Sequence, residues 1–191
     1  MSGRQSAYSR STLFGMLRSL LLAFSLVALQ GASVLLAQIP EGLGRGWKGE
    51  FEHAARQLIA LAEATPEEKF SFRPAPGVRS TSEVYMHVAV GNYWLLAQAG
   101  VKPGGRHWPN QIPADAERKV AAKADVVRWL KDSIAAVRAA QGTVDGSKIV
   151  TFLGAEVPAS HILLRLLVHN HEHMGQAIAY ARMSGVTPPW S

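Results

Sequence analysis

Four stretches of the chain repeat apolar residues at helical spacing, and none alternates at period two for long enough to build a sheet. The first covers residues 47–64, where Phe51, Ala54, Ala55, Leu58, Leu61 and Ala62 share a face. Thr65-Pro66 ends it, and the Pro- and Gly-rich connector Phe72-Arg73-Pro74-Ala75-Pro76-Gly77 follows. The second covers residues 82–99. Ser80-Thr81-Ser82-Glu83 has the form of a capping box, with Ser80 as N-cap and Glu83 reaching back, and Gly100 supplies a stop. The third covers residues 114–140, with a stripe of Val120, Ala124, Val127, Leu130, Ile134 and Val137. The fourth covers residues 159–183, with Gly185 where a left-handed cap belongs and Pro188-Pro189 preventing continuation. The loop 101–113 carries His107 and Trp108 and is placed to overhang one end. Residues 142–157 read as irregular, with 149–152 at most briefly extended. The expected fold is all-α: a four-helix bundle, up-down-down-up or similar, with irregular loops between the helices.

The N-terminus differs from this pattern. Arg4, Arg10 and Arg18 precede an apolar run at 20–29, and residues 1–37 contain no Asp or Glu. A basic segment, an apolar segment and small residues after it describe a signal peptide. Cleavage is expected after Ala37, with Ala32 as the alternative, so residues 1–37 read as signal and 38–191 as the folded domain. An uncleaved membrane anchor is the competing reading, although Gln30, Gly31 and Ser33 interrupt the span. Arg10 stands alone in Ser9-Arg10-Ser11-Thr12, which is not a twin-arginine signal. The expected location is periplasmic or secreted.

Removing residues 1–37 takes three of the 20 basic residues and none of the 14 acidic ones, which lowers the net charge from +6 to +3. No basic patch with interleaved aromatics remains, so nucleic-acid binding is not supported. The chain has no cysteine. That excludes disulfides, a lipid anchor on Cys, thiolate zinc sites and covalent c-type haem.

The candidate chemistry lies in Val168-His169-Asn170-His171-Glu172-His173. Residues four apart on a helix face the same way, so His169 and His173 can ligate one ion. His171 lies roughly 160° from His173 around the helix and cannot join them. A third ligand must come from another helix, and His87 is the best candidate. It shares a face with Val84, Gly91, Trp94 and Leu95 that points to the core, and Gly91 would leave room beside its imidazole. His53 projects opposite the Phe51/Leu58 stripe and is expected in solvent. His107 and His161 are expected to be surface or capping residues, with His107 able to overhang the site. Arg165, Glu172, Gln176 and Tyr180 lie on the flank of the His pair and could orient ligands or contact substrate; alternatively Arg165 and Glu172 form a solvated pair and Tyr180 packs at the bundle edge.

Three imidazoles suit zinc, nickel, copper or iron and are too nitrogen-rich for calcium or magnesium. With no fourth protein ligand evident, the site would keep an open position, as catalytic sites do. The pattern is neither H-E-x-x-H nor a di-iron set, since Glu50-x-x-His53 is the sole Glu-x-x-His pair.

These residues carry a resemblance. The run from His169 through Met174-Gly175-Gln176 and Tyr180-Ala181-Arg182 to Pro188-Pro189-Trp190-Ser191 resembles the C-terminal signature of the DinB-like superfamily. Phe70-Ser71-Phe72-Arg73-Pro74-Ala75-Pro76-Gly77-Val78-Arg79-Ser80, followed by His87 and Asn92, resembles its second signature. The similarity extends over about residues 47–191. It implies a four-helix bundle whose histidines bind a divalent metal, commonly zinc or nickel, and it assigns the ligand role to His87, His169 and His173. Some members transfer low-molecular-weight thiols such as bacillithiol or mycothiol to electrophiles, others are classed as metal-dependent hydrolases, and members are often homodimers. The signal-like segment departs from the family. Such thiols are cytosolic, so export argues against the transferase activity.

The expected function is therefore an exported metal-dependent enzyme, hydrolase or thiol S-transferase in type, acting on a small molecule. It would have no membrane association once the signal is cleaved. No residue is identified as general base. The alternative is a non-catalytic metal-binding or interaction module in which the metal stabilises the bundle. A pH sensor built from the clustered histidines is a weaker third option.

Overall fold

The computed structural model describes residues 43–104 and 106–191. The proposed signal segment lies outside them. Among the described residues, no helix is long and apolar enough to cross a membrane. The helices are α1 (Gly46–Ala64), α2 (Thr81–Gln98), the short α3 (Ala116–Lys119), α4 (Lys123–Ala140) and α5 (Ala159–Met183). A hairpin of β1 (Ile149–Phe152) and β2 (Ala155–Pro158) precedes α5.

Local chemistry accounts for the helix ends. The Ser80 hydroxyl accepts from the Glu83 N–H, and the Glu83 carboxylate accepts from the Ser80 N–H, which completes the expected capping box of α2. Gly100 and Gly185 both adopt positive φ, at 85° and 82°. Each closes a Schellman pair: Val101 N–H donates to Leu96 O and Gly100 N–H to Ala97 O after α2, and Val186 to Ala181 and Gly185 to Arg182 after α5.

Cross-helix pairs set the topology. Lys123 at the start of α4 donates to the Glu63 and Thr65 carbonyls at the end of α1, and Arg138 near the end of α4 pairs with Glu52 near the start of α1. These two helices are therefore antiparallel. Tyr93 meets the Trp129 ring, and Val101 borders the same hollow as Ala139 and Ala140, so α2 and α4 run the same way. His87 faces His173 while Asn92 bonds Asn170, so α2 and α5 are antiparallel. The order is up-down-down-up, with α2 packed against α4 and α5, and α1 closing the other side.

The core agrees with the α1 stripe: Phe51, Ala54, Ala55, Leu58, Leu61 and Ala62 are all fully buried. Two expectations need correction. The third helix is broken, because Val120 and Ala122 are extended. No Gly or Pro marks the break. Tertiary contacts hold it: Ala116 is buried, Glu117 reaches His87, and Lys123 is tied to the end of α1. The buried stripe of α4 accordingly starts at Val126 and runs through Leu130, Ile134 and Val137, while Ala124 is exposed and Val120 and Val127 are only half-buried. Residues 149–152 are extended, as the sequence allowed, but they pair antiparallel with 155–158, with Phe152 opposite Ala155, where the rest of the segment was expected to be irregular. Its strands are four residues long, too short for alternation to register in the sequence.

Candidate metal centre

The register of α5 against α2 brings three imidazoles together. His169 and His173 lie one turn apart on α5, and His87 faces them from α2. The ring centroids are 4.6 Å apart for His169–His173, 4.6 Å for His87–His173 and 5.0 Å for His87–His169. Each ring offers one nitrogen within 4.8 Å of the others, so the three could hold a metal ion. Among the described residues this is the one grouping of three or more His, Asp or Glu side chains with that geometry.

Gly91 makes the close approach possible, though for a different ring than the helix face suggests. A Cβ at position 91 would lie 2.3 Å from His169 Cε1 and 3.0 Å from both ring nitrogens. The space beside Gly91 therefore belongs to His169 of the facing helix, not to His87 on its own. His87 itself is half-buried, and its neighbour on that face, Trp94, is 45% exposed. Val84 and Leu95 of that face are buried in the core as expected, while His87 and Trp94 border a hollow.

Two ligand rings are oriented by acceptors. His87 Nδ1 lies 2.6 Å from Glu117 Oε1, and His173 Nδ1 lies 2.8 Å from Gln176 Oε1. A neutral imidazole that donates through Nδ1 leaves Nε2 with its lone pair free, the state a metal ligand needs. Glu117 also accepts from Arg79 Nε at 3.1 Å, and Gln176 Nε2 donates to the Tyr180 hydroxyl. Burial alone would raise the Glu117 pKa, but the hydrogen bonds from His87 and Arg79 outweigh it and hold the carboxyl below its ordinary value.

The third ring has no such partner. His169 is buried, and its Nδ1 is a buried nitrogen without a hydrogen bond. Burial, followed by the neighbouring His173 and His87, lowers its pKa to about 4. Burial is also the largest cause of the lowered His173 pKa. Neutral, crowded imidazoles with an unsatisfied nitrogen fit a transition-metal site better than a hydrogen-bonded core.

The other candidates separate cleanly. His171 turns away and bonds Leu167 O. His53 is half-buried rather than in solvent. His161 is exposed beside the Phe152 ring. The His107 carbonyl accepts from Tyr93 OH, and its loop packs against Trp129 and the α4 end, away from the triad. Arg165 and Glu172 pair at 2.6 Å with both side chains well exposed, which is the solvated-pair reading. Gln176 and Tyr180 instead belong to the site. Glu117 was missed: it lies thirty positions from His87, beyond a loop, and nothing local marks it.

Two hollows flank the triad, and Glu117 walls both. One, of about 860 Å³, is bordered by Arg73, Arg79, Glu83, Arg118, Gln176 and Tyr180. The other, of about 350 Å³, is apolar and bordered by His87, Val90, Trp94, Leu95, Phe152, Leu153, Arg165 and His169.

A family model described as the DinB superfamily matches residues 50–177. The chain belongs to the DinB superfamily. Two solved structures share the fold of this DinB protein. A DinB-like protein from Bacillus cereus ATCC 10987 superposes with a TM-score of 0.62 at 22% identity, covering 76% of this chain and 95% of its own. A DinB-like protein from Bacillus subtilis gives 0.55 at 15% identity, covering 72% and 91%. No curated protein matches the chain.

Proposed function

We propose that this DinB-superfamily protein is an exported metal-dependent enzyme in which His87, His169 and His173 hold one divalent transition metal, zinc or nickel. The observation that carries the reading is the convergence of three imidazoles, one of which, His169, is buried with an Nδ1 that has no protein partner. No carboxylate joins the set, so hard oxygen-seeking ions are disfavoured. A metal in an open three-nitrogen site would act as a Lewis acid, acidifying a water or thiol and polarising an electrophile.

The protein's own residues do the positioning. Glu117 Oε1 would accept from His87 Nδ1 and hold that ring in place, and Arg79 donates to the same carboxylate. Gln176 does the same for His173 and is itself fixed by Tyr180. Such partners set ring orientation and ligand basicity. The signal-like segment at residues 1–37 favours a hydrolase over a transferase that uses cytosolic thiols, and it supports a periplasmic or secreted location. A small molecule is the substrate that two hollows of this size accommodate.

The same orphaned nitrogen would be satisfied by an ion that only stabilises the bundle. Thermal melting with and without chelator, run beside an ester and electrophile panel, separates the two. Metal-dependent turnover that His173→Ala abolishes supports the enzyme. A large metal-dependent rise in melting temperature with no turnover on any panel member contradicts it and supports the stabilising module.

A further inference from the structure

The hairpin tip carries two features that folding alone does not explain. Leu153 has φ 51°, and Gly154 follows at φ 86°. A two-residue turn with both central residues at positive φ is the type that favours Asn-Gly, because a branched side chain is strained in that region. The residue in the strained place is a leucine that is 82% exposed. Both the strain and the exposure oppose stability, yet the side chain stands at the border of the apolar hollow beside His87 and His169.

The rest of that hollow agrees. Trp94, also exposed, packs against Phe152 with ring centroids 5.7 Å apart, and Val90 and Leu95 complete an apolar wall. The charged groups at its edge are engaged elsewhere: Arg165 with Glu172, and Glu117 with His87 and Arg79. At about 350 Å³ the hollow lies in the range of small-molecule sites. It exceeds the ~150 Å³ that suffices for a benzene ring in an engineered cavity.

We propose that this hollow is the apolar subsite of the substrate, taking an alkyl or aryl group of one or two rings, with Leu153 and Trp94 as its outer clamp. The substrate class is then a small molecule whose reactive polar group adjoins a hydrophobic body. The polar group lies at the histidines and the body lies under the hairpin. This rests on the triad being the reacting centre, but occupancy of the hollow does not require the metal.

The test is calorimetric titration of the full chain with 1-butanol, 1-pentanol and 1-hexanol in the presence of chelator. Ring-proton resonances of His87 and His169 are followed in parallel. Affinity should rise about fourfold per methylene, the value expected for burying each group. The resonances of both histidines should move. Leu153→Asn improves the turn chemistry, so the variant folds at least as well as the parent. It should nonetheless weaken 1-hexanol binding by about tenfold, as should Trp94→Ala. Leu164→Asn, at a 54% exposed leucine outside the hollow, should leave binding unchanged. A flat series, unmoved histidine resonances or equal loss in Leu164→Asn overturns the proposal. So does light scattering showing a dimer that Leu153→Asn dissociates, since the patch would then be an interface between copies. Failure here with metal still bound refutes the subsite alone. Alkanol binding without any metal binding refutes the metal reading instead.

Discussion

Gly91→Ala offers a sharp test of the bundle register, because one methyl group is predicted to act on a ring of another helix. The new Cβ would stand 2.3 Å from His169 Cε1. Ordinary carbon contacts begin near 3.5 Å, so the ring must shift by about 1 Å. It has little room to do so: it is 9% exposed and lies within 5.0 Å, centroid to centroid, of His87 and His173. Overpacking of this kind costs about 1–3 kcal/mol, against a gain of about 0.5–1 kcal/mol for replacing a helical glycine. The net expectation is a loss of about 1–2 kcal/mol in urea unfolding under chelator. Metal affinity should fall about 10- to 100-fold, as when a ligand's orientation is disturbed. Gly175→Ala is the internal control, since nothing lies within 4 Å of its new Cβ. It should stabilise by about 0.5–1 kcal/mol. In a His169→Ala background the penalty of Gly91→Ala should vanish. A Gly91→Ala protein that is as stable as Gly175→Ala and binds metal like the parent would refute the placement of His169 against α2.

Three further outcomes are expected. Glu117→Ala removes the acceptor from His87 Nδ1 and should weaken metal binding about 10- to 100-fold in calorimetry, with helix content by circular dichroism unchanged. Under chelator, stability should fall with pH, because His169 titrates near 4 when folded against 6.5 for the free group. The unfolded chain binds more protons between those values, so stability present above about 6.5 is lost progressively down to about 4, by about 3 kcal/mol. The lowered pKa of His173 adds to the slope in the same direction. Urea midpoints at pH 7 and pH 5 read this effect, and His169→Ala should flatten it. Ser80→Ala removes the α2 cap and should cost about 1 kcal/mol in the same unfolding assay, with metal affinity unchanged.

What the sequence revealed followed from local chemistry. Ser80 and Glu83 announce the start of α2, Gly100 and Gly185 announce two helix ends, and the i,i+4 spacing of His169 and His173 puts both on one face. Gln176 was visible for the same reason, three residues from His173. The features that escaped depend on tertiary packing. Val120-Ala121-Ala122 contains no helix breaker, yet the chain bends there so that Ala116 is buried and Glu117 meets His87. Gly91 was readable as room for an imidazole, but only the α2–α5 register shows that the imidazole is His169. The pairing of the hairpin was hidden because Leu153-Gly154 lacks the usual residues for its turn.

The central claim, that three histidines of one DinB-superfamily bundle hold a single divalent transition metal, is tested most directly by elemental analysis. The measurement uses tag-free protein dialysed against limiting zinc and nickel, beside His87→Ala, His169→Ala and His173→Ala. One ion per chain is expected in the parent and a large loss in each variant, with His171→Ala and His53→Ala retaining the parent's content. A parent that holds no more metal than the triad variants, or a His171→Ala protein that loses it, would contradict the account.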